Sequence, residues 1–185
     1  VLDLAAGTLD VSREIVRQHP EARVLALDFS EPMLRKGQGK LAKGRTLGIS
    51  PILADGRELP VADESVDCVT IAFGIRNIKP RERAFTEILR VLRPGGRLCI
   101  LEFGTGKSRI WRGIYNLYLN RILPLVGRVV SGDAGAYSYL AETIMHFPDA
   151  NSLAREMADA GFNRILHRPM LSGIVYLHAA EKGIG

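Results

Sequence analysis

Short apolar runs alternate with amphipathic stretches along the first half of the chain. The apolar runs predict strands at the very start of the chain, at 23–28, at about 51–54, at 66–73 and at 97–103. The stretches between them carry apolar residues at helical spacing, which predicts helices from Asp10 to His19, from Ser30 toward Leu41 and from about Pro80 to Leu92. This alternation favours a doubly wound α/β sheet whose strands are parallel.

The second half of the chain departs from this pattern. The segment 110–147 is helical in pattern, unusually aromatic and interrupted by Pro124. It predicts a helical insertion after strand five, 107–147, which either packs on the sheet edge or, as its position favours, covers an apolar substrate as a lid. A helix is then predicted over 152–160, ending at Gly161, and an antiparallel pair of strands at 162–167 and 173–179. The chain 1–185 is thus predicted to be one domain with a mostly parallel seven-stranded sheet.

Composition and charge change this picture little. With 185 residues, 46% of them hydrophobic, the chain can bury a sizeable core, which excludes a disordered or fibrous protein. The formal net charge of +5 fits nucleic acid, an anionic membrane or neither, and the basic residues are scattered. A modest group, Lys107, Arg109 and Arg112, precedes the aromatic stretch. This group indicates transient contact with a membrane surface rather than a nucleic-acid partner.

The two cysteines, Cys68 and Cys99, lie inside apolar runs and lack the spacing of a metal or redox motif. We therefore expect both to be reduced core residues of a cytoplasmic protein. Neither a signal peptide nor a membrane-spanning apolar run is present in the sequence. The sequence thus predicts a cytoplasmic chain, at most peripheral to the inner membrane face, and leaves a homodimer open.

Candidate chemistry begins at the first strand, where Val1–Asp10 leads into a loop of small residues and then a helix. Such a loop lets the backbone approach a ligand, and the helix N-terminus favours a polar or anionic group. Ala5, Gly7 and Asp10 stand where a dinucleotide fold has its three glycines, which argues against a nicotinamide dehydrogenase. Asp28, at the end of the second predicted strand, is positioned to accept hydrogen bonds from ribose hydroxyls.

Two sets of short motifs carry a family resemblance. The first set is Leu2-Asp-Leu-Ala-Ala-Gly-Thr8, Asp28-Phe-Ser30 with Met33-Leu34, Ala54-Asp55-Gly56 and Leu92-Arg-Pro-Gly-Gly96. It resembles the class I S-adenosylmethionine (SAM) methyltransferases. The second set is Phe73-Gly-Ile-Arg-Asn77, Ile122-Leu-Pro124 with Gly127, Tyr137-Ser-Tyr-Leu140, Phe147-Pro148, Ala160-Gly-Phe162 and Gly173-Ile174 with His178. It resembles, more narrowly, the C-methyltransferases of ubiquinone and menaquinone biosynthesis.

The resemblance implies a Rossmann-like class I methyltransferase fold, with SAM as the methyl donor and no metal. It assigns the cofactor contacts to Asp3, Gly7, Thr8, Asp28, Met33, Asp55, Gly56 and Ala72. Within this set, Asp28 is expected on the ribose hydroxyls, and Asp55 with Gly56 beside the adenine. A carboxylate suits two vicinal hydroxyls because it only accepts hydrogen bonds. The flexible thioether of Met33 suits the face of an adenine.

The implied reaction is methyl transfer to a ring carbon of a prenylated quinol, either demethylmenaquinol or a polyprenyl-methoxy-benzoquinol. The ring carbon becomes nucleophilic when a neighbouring hydroxyl loses its proton. Arg76 is predicted to stabilise that phenolate with fixed positive charge, and Asn77 to orient Arg76. The alternative for Arg76 is a structural role in which it caps or salt-bridges its loop. Weaker candidates for substrate contact or proton transfer are Tyr137, Tyr139, Asp133 and His178.

Two departures from the resembled family bear on activity. Similar proteins have glycine at the position of Leu9, so we expect Leu9 to weaken SAM binding if its side chain faces the cofactor or its φ must be positive. Similar proteins also carry a helical segment before the first strand, so we expect a further N-terminal segment. The departures leave open a SAM-family binding or assembly subunit with weakened catalysis.

A methyltransferase for another small apolar or nucleic-acid substrate is the remaining alternative. Enzymes that methylate exocyclic amines of bases usually show Asn/Asp-Pro-Pro-aromatic after strand four. The chain has Ala72-Phe-Gly-Ile-Arg76 at that place. The sequence therefore favours the quinol over a nucleic acid.

Overall fold

The computed structural model describes residues 1–42, 48–104, 143–144 and 146–184. The strands in this part of the chain are β1 Leu2–Leu4, β2 Val24–Asp28, β3 Ile49–Leu53, β4 Val66–Ala72, β5 Leu92–Phe103, β6 Phe162–Met170 and β7 Val175–Lys182. The α-helices are α1 Asp10–Gln18, α2 Glu31–Leu41, α3 Arg81–Val91 and α4 Ala150–Asp159. Short 3-10 turns occur at Ile75–Asn77 and Leu171–Gly173.

The strands form one sheet in the order β3-β2-β1-β4-β5-β7-β6. Neighbours from β3 through β5 are parallel, whereas β7 is antiparallel to both β5 and β6. The predicted doubly wound, mostly parallel seven-stranded sheet is therefore confirmed. The chain winds outward in opposite directions from β1 and β4, and in open α/β sheets ligands bind outside the carboxyl ends of strands at this switch point.

The main core lies between the sheet and helices α3 and α4. Phe85 and Ile88 of α3, together with Leu153 and Met157 of α4, are fully buried against the apolar residues of β1, β4 and β5. Spacings of three and four residues place each pair on one face of its helix. A smaller cluster beneath α2 holds Ala6, Leu9, Ala26 and Leu34. The main core and this smaller cluster hold the loops that follow β1, β2 and β4 in place.

Two element boundaries differ from the sequence prediction for local reasons. Helix α4 begins before Ser152 because the carboxylate of Asp149 accepts a hydrogen bond from the Ser152 amide at 2.8 Å and caps the helix. Strand β5 begins at Leu92 rather than Arg97, because Leu92 already pairs with Val66 before the register shifts. The residues between Leu92 and Arg97 interrupt the regular pairing of β5 with β4.

The prediction that both cysteines lie in the core is wrong. Cys68 on β4 and Cys99 on β5 are free thiols, and both are only half-buried. Each alternates with buried core residues, Val69 and Leu98 among them, so the thiols lie on the opposite face of the sheet. The prediction of a cytoplasmic location, which rests on these cysteines, stays a prediction.

The predicted lid 107–147 lies almost entirely outside the described residues. Of its described members, Ile144 and Phe147 are buried, and Phe147 belongs to the main core. The division of the chain into a domain and a lid therefore stays a prediction. Within the described ranges, no helix is long and apolar enough to cross a membrane.

Candidate active site

A crevice lies at the carboxyl ends of β1, β2 and β4, at the switch point of the sheet. It consists of two adjoining cavities, of about 400 and about 480 Å³. The lining residues that both cavities share are Ala5, Asp28, Ser30, Gly74 and Asn77. Cavities of this size are typical of small-molecule sites. We call the two cavities together the crevice.

The floor of the crevice is formed where the loop after β4 crosses the loop after β1. A Cβ atom added to Gly74 would lie 2.3 Å from the Cβ atom of Ala5, so only glycine allows this close approach. Ala5 itself has a positive φ of 57°, and Gly7 follows with a φ of 54°. Close packing thus requires glycine at Gly74, and the positive φ favours glycine at Gly7.

Asp28 joins the two loops on the β1 and β2 side of the crevice. Its Oδ2 accepts a hydrogen bond from the Gly7 amide at 2.7 Å, and its Oδ1 accepts one from the Ser30 amide at 2.7 Å. A carboxylate oxygen has more than one acceptor site, so each oxygen keeps capacity for a ligand hydroxyl. Asp28 therefore both fixes the loops and presents acceptors to the crevice.

Asp3 lines the crevice from below but is buried in its own hydrogen-bond network. Its carboxylate accepts from Ser12 Oγ at 2.5 Å and from Thr70 Oγ1 at 3.1 Å, and burial raises its pKa. Ser12 belongs to α1 and Thr70 to β4. Asp3 thus ties the first helix to the centre of the sheet. This geometry supports a structural role for Asp3 beneath the loop that follows β1, residues 5–9, which we call the cofactor loop.

Lys40 reaches the cofactor loop from α2 and was not found by sequence reasoning. Its ammonium donates to Thr8 Oγ1 at 2.9 Å and to both oxygens of Asp10 at 2.7 Å. The hydrogen bond from Lys40 holds the pKa of Asp10 below its usual range. Thr8 and Asp10 both line the crevice, and Thr8 also donates to Asp10 at 2.6 Å. Lys40 therefore fixes the loop that sequence analysis assigned to SAM.

At the opposite end of the crevice, Asp55 is already engaged by Arg57. Both of its oxygens accept from the Arg57 side chain, with Nη2 at 2.6 Å and Nε at 2.9 Å, and this pairing lowers the pKa of Asp55. Arg57 Nη1 also donates to the carbonyl oxygen of Lys79 at 2.8 Å. Asp55 and Gly56 line the cavity as an adenine contact requires, but Arg57 competes for the carboxylate.

The cavity that contains Gly7 and Thr8 is also lined by Met33 and Ala72, the other two residues assigned to SAM, but not by Asp55 or Gly56. The contact of Met33 with adenine stays a prediction. Met33 lies in the first turn of α2, and its Cε atom would be 3.6 Å from a Cβ atom at Gly7. Ala72 ends β4 and is followed by Phe73, whose ring centroid lies 4.7 Å from that of Phe103. The structure therefore brings all eight residues assigned to SAM to one crevice.

Leu9 does not enter the crevice. It has a left-handed φ of 65°, yet its side chain is fully buried in the small cluster beneath α2. A Cβ atom at Gly37 would lie 2.5 Å from Leu9 Cγ, so the glycine in α2 makes room for the leucine. The side chain therefore does not clash with a ligand in the crevice, but the positive φ that favours glycine is present. Weakened SAM binding through this backbone strain stays a prediction.

Arg76 lies in the 3-10 turn Ile75–Asn77 and lines the crevice, but its charge is not free. Its Nη1 donates to Glu102 Oε1 at 2.7 Å and to the carbonyl oxygen of Phe73. Both members of the Arg76–Glu102 ion pair are buried. The structure thus contains the salt bridge that the alternative, structural role of Arg76 predicts, and the fixed positive charge of the guanidinium is balanced by Glu102. The catalytic role of Arg76 stays a prediction. The Nε atom of Arg76 is buried and lacks a hydrogen-bond partner within the described residues.

Of the weaker substrate candidates, His178 alone lies among the described residues. Asn77, which is predicted to orient Arg76, lines both cavities, and its orienting role stays a prediction. His178 is instead buried under the start of α4, where its Nε2 lies 3.0 Å from the carbonyl oxygen of Ala150, and burial lowers its pKa. It lines neither cavity of the crevice. Tyr137, Tyr139 and Asp133 lie outside the described residues.

The crevice fits SAM in shape and in donor chemistry. Asp28 supplies acceptors for ribose hydroxyls, because each of its oxygens keeps acceptor capacity beside the loop amides that it already binds. A Cβ atom at Gly56 would meet Ile78 Cδ1 at 3.0 Å, so glycine allows this loop to pack closely against Ile78. Among the described residues, no cluster of three His, Cys, Asp or Glu side chains is arranged to hold a metal ion.

A sequence profile of the ubiE/COQ5 methyltransferase family matches residues 1–182. The chain belongs to the ubiE/COQ5 methyltransferase family. It is 43% identical over 184 residues to "Ubiquinone/menaquinone biosynthesis C-methyltransferase UbiE" of Pseudomonas paraeruginosa, covering 98% of this chain and 72% of that protein. The protein of the same name from Geobacter sulfurreducens is 42% identical over 186 residues, covering 100% of this chain and 72% of its own length.

The fold of this ubiE/COQ5 family member is shared with solved SAM methyltransferases. A SAM-dependent methyltransferase from Aquifex aeolicus superposes with a TM-score of 0.71 at 16% identity, covering 97% of this chain and 80% of that one. The resemblance to class I methyltransferases, and to the quinone-pathway family within them, is thereby confirmed. The individual contacts assigned to SAM and to the substrate stay predictions, supported by their common position in the crevice.

Proposed function

We infer that this chain transfers a methyl group from SAM to a ring carbon of a prenylated quinol, demethylmenaquinol or a polyprenyl-methoxy-benzoquinol. Membership of the ubiE/COQ5 methyltransferase family supports the reaction class. The observation that carries the proposal is that Asp28 and Arg76 line one crevice at the switch point of the sheet. Asp28 suits SAM, the methyl donor, and Arg76 suits the quinol, which accepts the methyl group.

On the donor side, the residues of the crevice bind and orient. SAM supplies an electrophilic methyl group on a sulfonium. Asp28 accepts from the ribose hydroxyls while holding Gly7 and Ser30 in place. Thr8 and Asp10, fixed by Lys40, hold the cofactor loop in place. A rigid cradle of this kind reduces the entropy lost when two reactants are brought together.

On the acceptor side, Arg76 stabilises negative charge on the quinol oxygen. Glu102 neutralises most of its net charge, so the stabilisation acts through an oriented N–H donor rather than through a free cation. Arg76 borders the crevice, so a phenolate oxygen bound there can accept a hydrogen bond from its guanidinium. The hydrogen bond strengthens as charge develops on that oxygen, which favours the transition state over the ground state.

The direct test is transfer of label from methyl-labelled SAM to the ring of a quinol with a short prenyl tail. We expect a product methylated on carbon, and no labelled product when the quinol is replaced by the oxidised quinone, because the quinone has no hydroxyl to ionise. Benzoquinol and naphthoquinol substrates assayed in parallel identify the ring. SAM binding without transfer to either quinol would contradict the proposal.

We further infer that the end of the β6–β7 hairpin contacts the membrane that holds the prenyl tail. Leu171 is 73% exposed there, beside the exposed side chains of Met170 and Arg168. The hairpin end lies at the same end of the strands as the crevice. The Gly104 amide, just after the carboxyl end of β5, donates to the Ile174 carbonyl oxygen of the hairpin end at 2.8 Å. Because β5 is parallel to β4, its carboxyl end points toward the crevice side of the sheet. Exposed apolar side chains with a nearby cation suit an anionic bilayer surface.

We expect Leu171→Asp to weaken binding to vesicles of anionic phospholipid by roughly tenfold, since a buried leucine side chain contributes about 1.5–3 kcal/mol. Aspartate tolerates the left-handed φ of 46° at this position, so the fold is expected to persist. Leu166→Asp is the matched control, because Leu166 is 72% exposed but lies within β6. Equal losses for both variants in vesicle co-sedimentation would contradict the assignment.

The same proposal places the chain in the cytoplasm, at the inner face of the membrane, without a nucleic-acid partner. A homodimer remains compatible with it. Light scattering on the purified chain measures the oligomer, and vesicle binding measures the membrane contact independently.

A further inference from the structure

Glu102 is a buried carboxylate beside the crevice that the sequence analysis did not single out. It lies near the carboxyl end of β5 and is 1% exposed. Burial raises its pKa, while the charge of Arg76 and hydrogen bonds to the carboxylate act in the opposite direction. Taking a carboxylate out of water is costly unless it is paired and hydrogen-bonded. A buried carboxylate near the carboxyl end of a strand, where ligands bind in sheets of this kind, is a candidate for a functional role.

The Glu102 carboxylate contacts both the side chain and the backbone of Arg76, and so holds the 3-10 turn in which Arg76 lies. Its Oε1 accepts from Arg76 Nη1 at 2.7 Å and from the Phe103 amide at 2.9 Å. Its Oε2 lies 3.4 Å from the backbone nitrogen of Arg76. One carboxylate therefore links β5 to the segment that follows β4. The guanidinium and its own backbone cannot rotate independently while these contacts persist.

Two further contacts limit the guanidinium to one orientation. Nη1 also donates to the carbonyl oxygen of Phe73, and the guanidinium carbon lies 5.5 Å from the centroid of the Phe103 ring. All the hydrogen bonds of the side chain are made through Nη1 within the described residues, and Nε is buried without one. Because the guanidinium is planar, fixing Nη1 also fixes the direction of the Nε–H bond.

We propose that Glu102 is a positioning residue for methyl transfer: it holds the guanidinium of Arg76 at the crevice so that an N–H bond of the guanidinium meets the quinol oxygen as that oxygen becomes negative. The proposal rests on the proposed function. Glu102 takes no proton and touches neither substrate in this role. It differs from a merely structural ion pair because its loss lowers the rate through Arg76.

A double-variant cycle on kcat tests this dependence. We expect Glu102→Gln to lower kcat with a short-tailed quinol at least tenfold, while the dissociation constant for SAM changes less than twofold. In the background of Arg76→Ala, the same substitution should lower kcat no further. Residues that act through one another give such non-additive effects. Unchanged kcat in Glu102→Gln, or losses that multiply in the double variant, would overturn the proposal.

The matched control is Glu156→Gln, which removes the charge from another ion pair. Glu156 pairs with Arg81 at 2.7 Å in two places, joining α4 to α3, and neither residue lines the crevice. We expect its kcat to equal that of the unmodified chain. If Glu102→Gln fails to fold, Glu102→Asp keeps the charge with a shorter reach and should give an intermediate kcat. Full activity in Glu102→Asp would count against positioning.

A measurement without turnover separates this proposal from the proposed function. In nitrogen-15 spectra, the Arg76 Nε–H resonance should be sharp and protected from exchange with water in the unmodified chain. It should broaden and exchange in Glu102→Gln but not in Glu156→Gln. A sharp, protected resonance in a chain that methylates no quinol would defeat the proposed function alone. An unprotected resonance in an active chain would defeat the positioning role alone.

Discussion

Replacing Arg76 by alanine is expected to lower kcat for quinol methylation by about a hundredfold or more, the usual effect of removing one preorganised donor. SAM affinity should change less than twofold, because the proposed function assigns Arg76 to the quinol and the ribose to Asp28. An interaction made mainly in the transition state lowers kcat rather than substrate binding. Steady-state kinetics with a short-tailed quinol, together with calorimetric titration of SAM, measure both quantities.

The controls for Arg76 separate catalysis from stability. Removing the guanidinium leaves Glu102 buried without its partner, which destabilises the fold by about 3–5 kcal/mol. The double variant Arg76→Ala/Glu102→Gln should recover thermal stability while remaining slow. Arg81→Ala, at the ion pair outside the crevice, should retain kcat. Full turnover in Arg76→Ala, or a double variant that is stable and active, would show that Arg76 is structural.

The fold could be predicted from the chain because its signals are local. Apolar runs broken by amphipathic stretches place β1, β2, β4 and α1 to α3 close to where the structure has them, and Gly161 has the expected positive φ of 108°. The start of α4 was missed because the capping carboxylate of Asp149 decides it. The start of β5 was missed because Leu92 pairs across to Val66, which no local pattern shows.

The candidate site was predictable only in part, for a related reason. Residues that follow strands at the switch point, such as Asp28 and Arg76, can be located from the order of elements. Their partners cannot, since Lys40 approaches Thr8 from another helix and Glu102 approaches Arg76 from another strand. An acid inside an apolar strand was the one available signal for Glu102.

Leu9 shows why a single residue type can mislead. In the sequence it stands where similar proteins have glycine, and a branched side chain there suggests a clash with the cofactor. Its left-handed backbone instead directs the side chain away from the crevice and onto Gly37 of α2. The direction of a side chain depends on φ and on distant neighbours, which the local sequence does not contain.

Replacing Asp28 by alanine is expected to weaken SAM binding by about tenfold to a hundredfold. The estimate follows from the loss of a charged acceptor, about 1.5–3 kcal/mol. Part of the loss is direct, through the ribose hydroxyls. The rest arises because the Gly7 and Ser30 amides lose the carboxylate that holds both loops. Calorimetric titration of SAM measures the affinity, and thermal unfolding shows whether the fold persists.

A SAM analogue lacking one ribose hydroxyl distinguishes the two contributions. If Asp28 accepts from that hydroxyl, the 2′-deoxy or 3′-deoxy analogue should bind the unmodified chain more weakly than SAM, but should bind Asp28→Ala about as well as SAM does. Asp63→Ala is a matched control, since Asp63 forms an exposed ion pair with Arg90 away from the crevice. SAM affinity equal to that of the unmodified chain in Asp28→Ala would refute the assignment. If Asp28→Ala instead weakens the binding of SAM and of both analogues by the same factor, Asp28 acts only by holding the two loops in place.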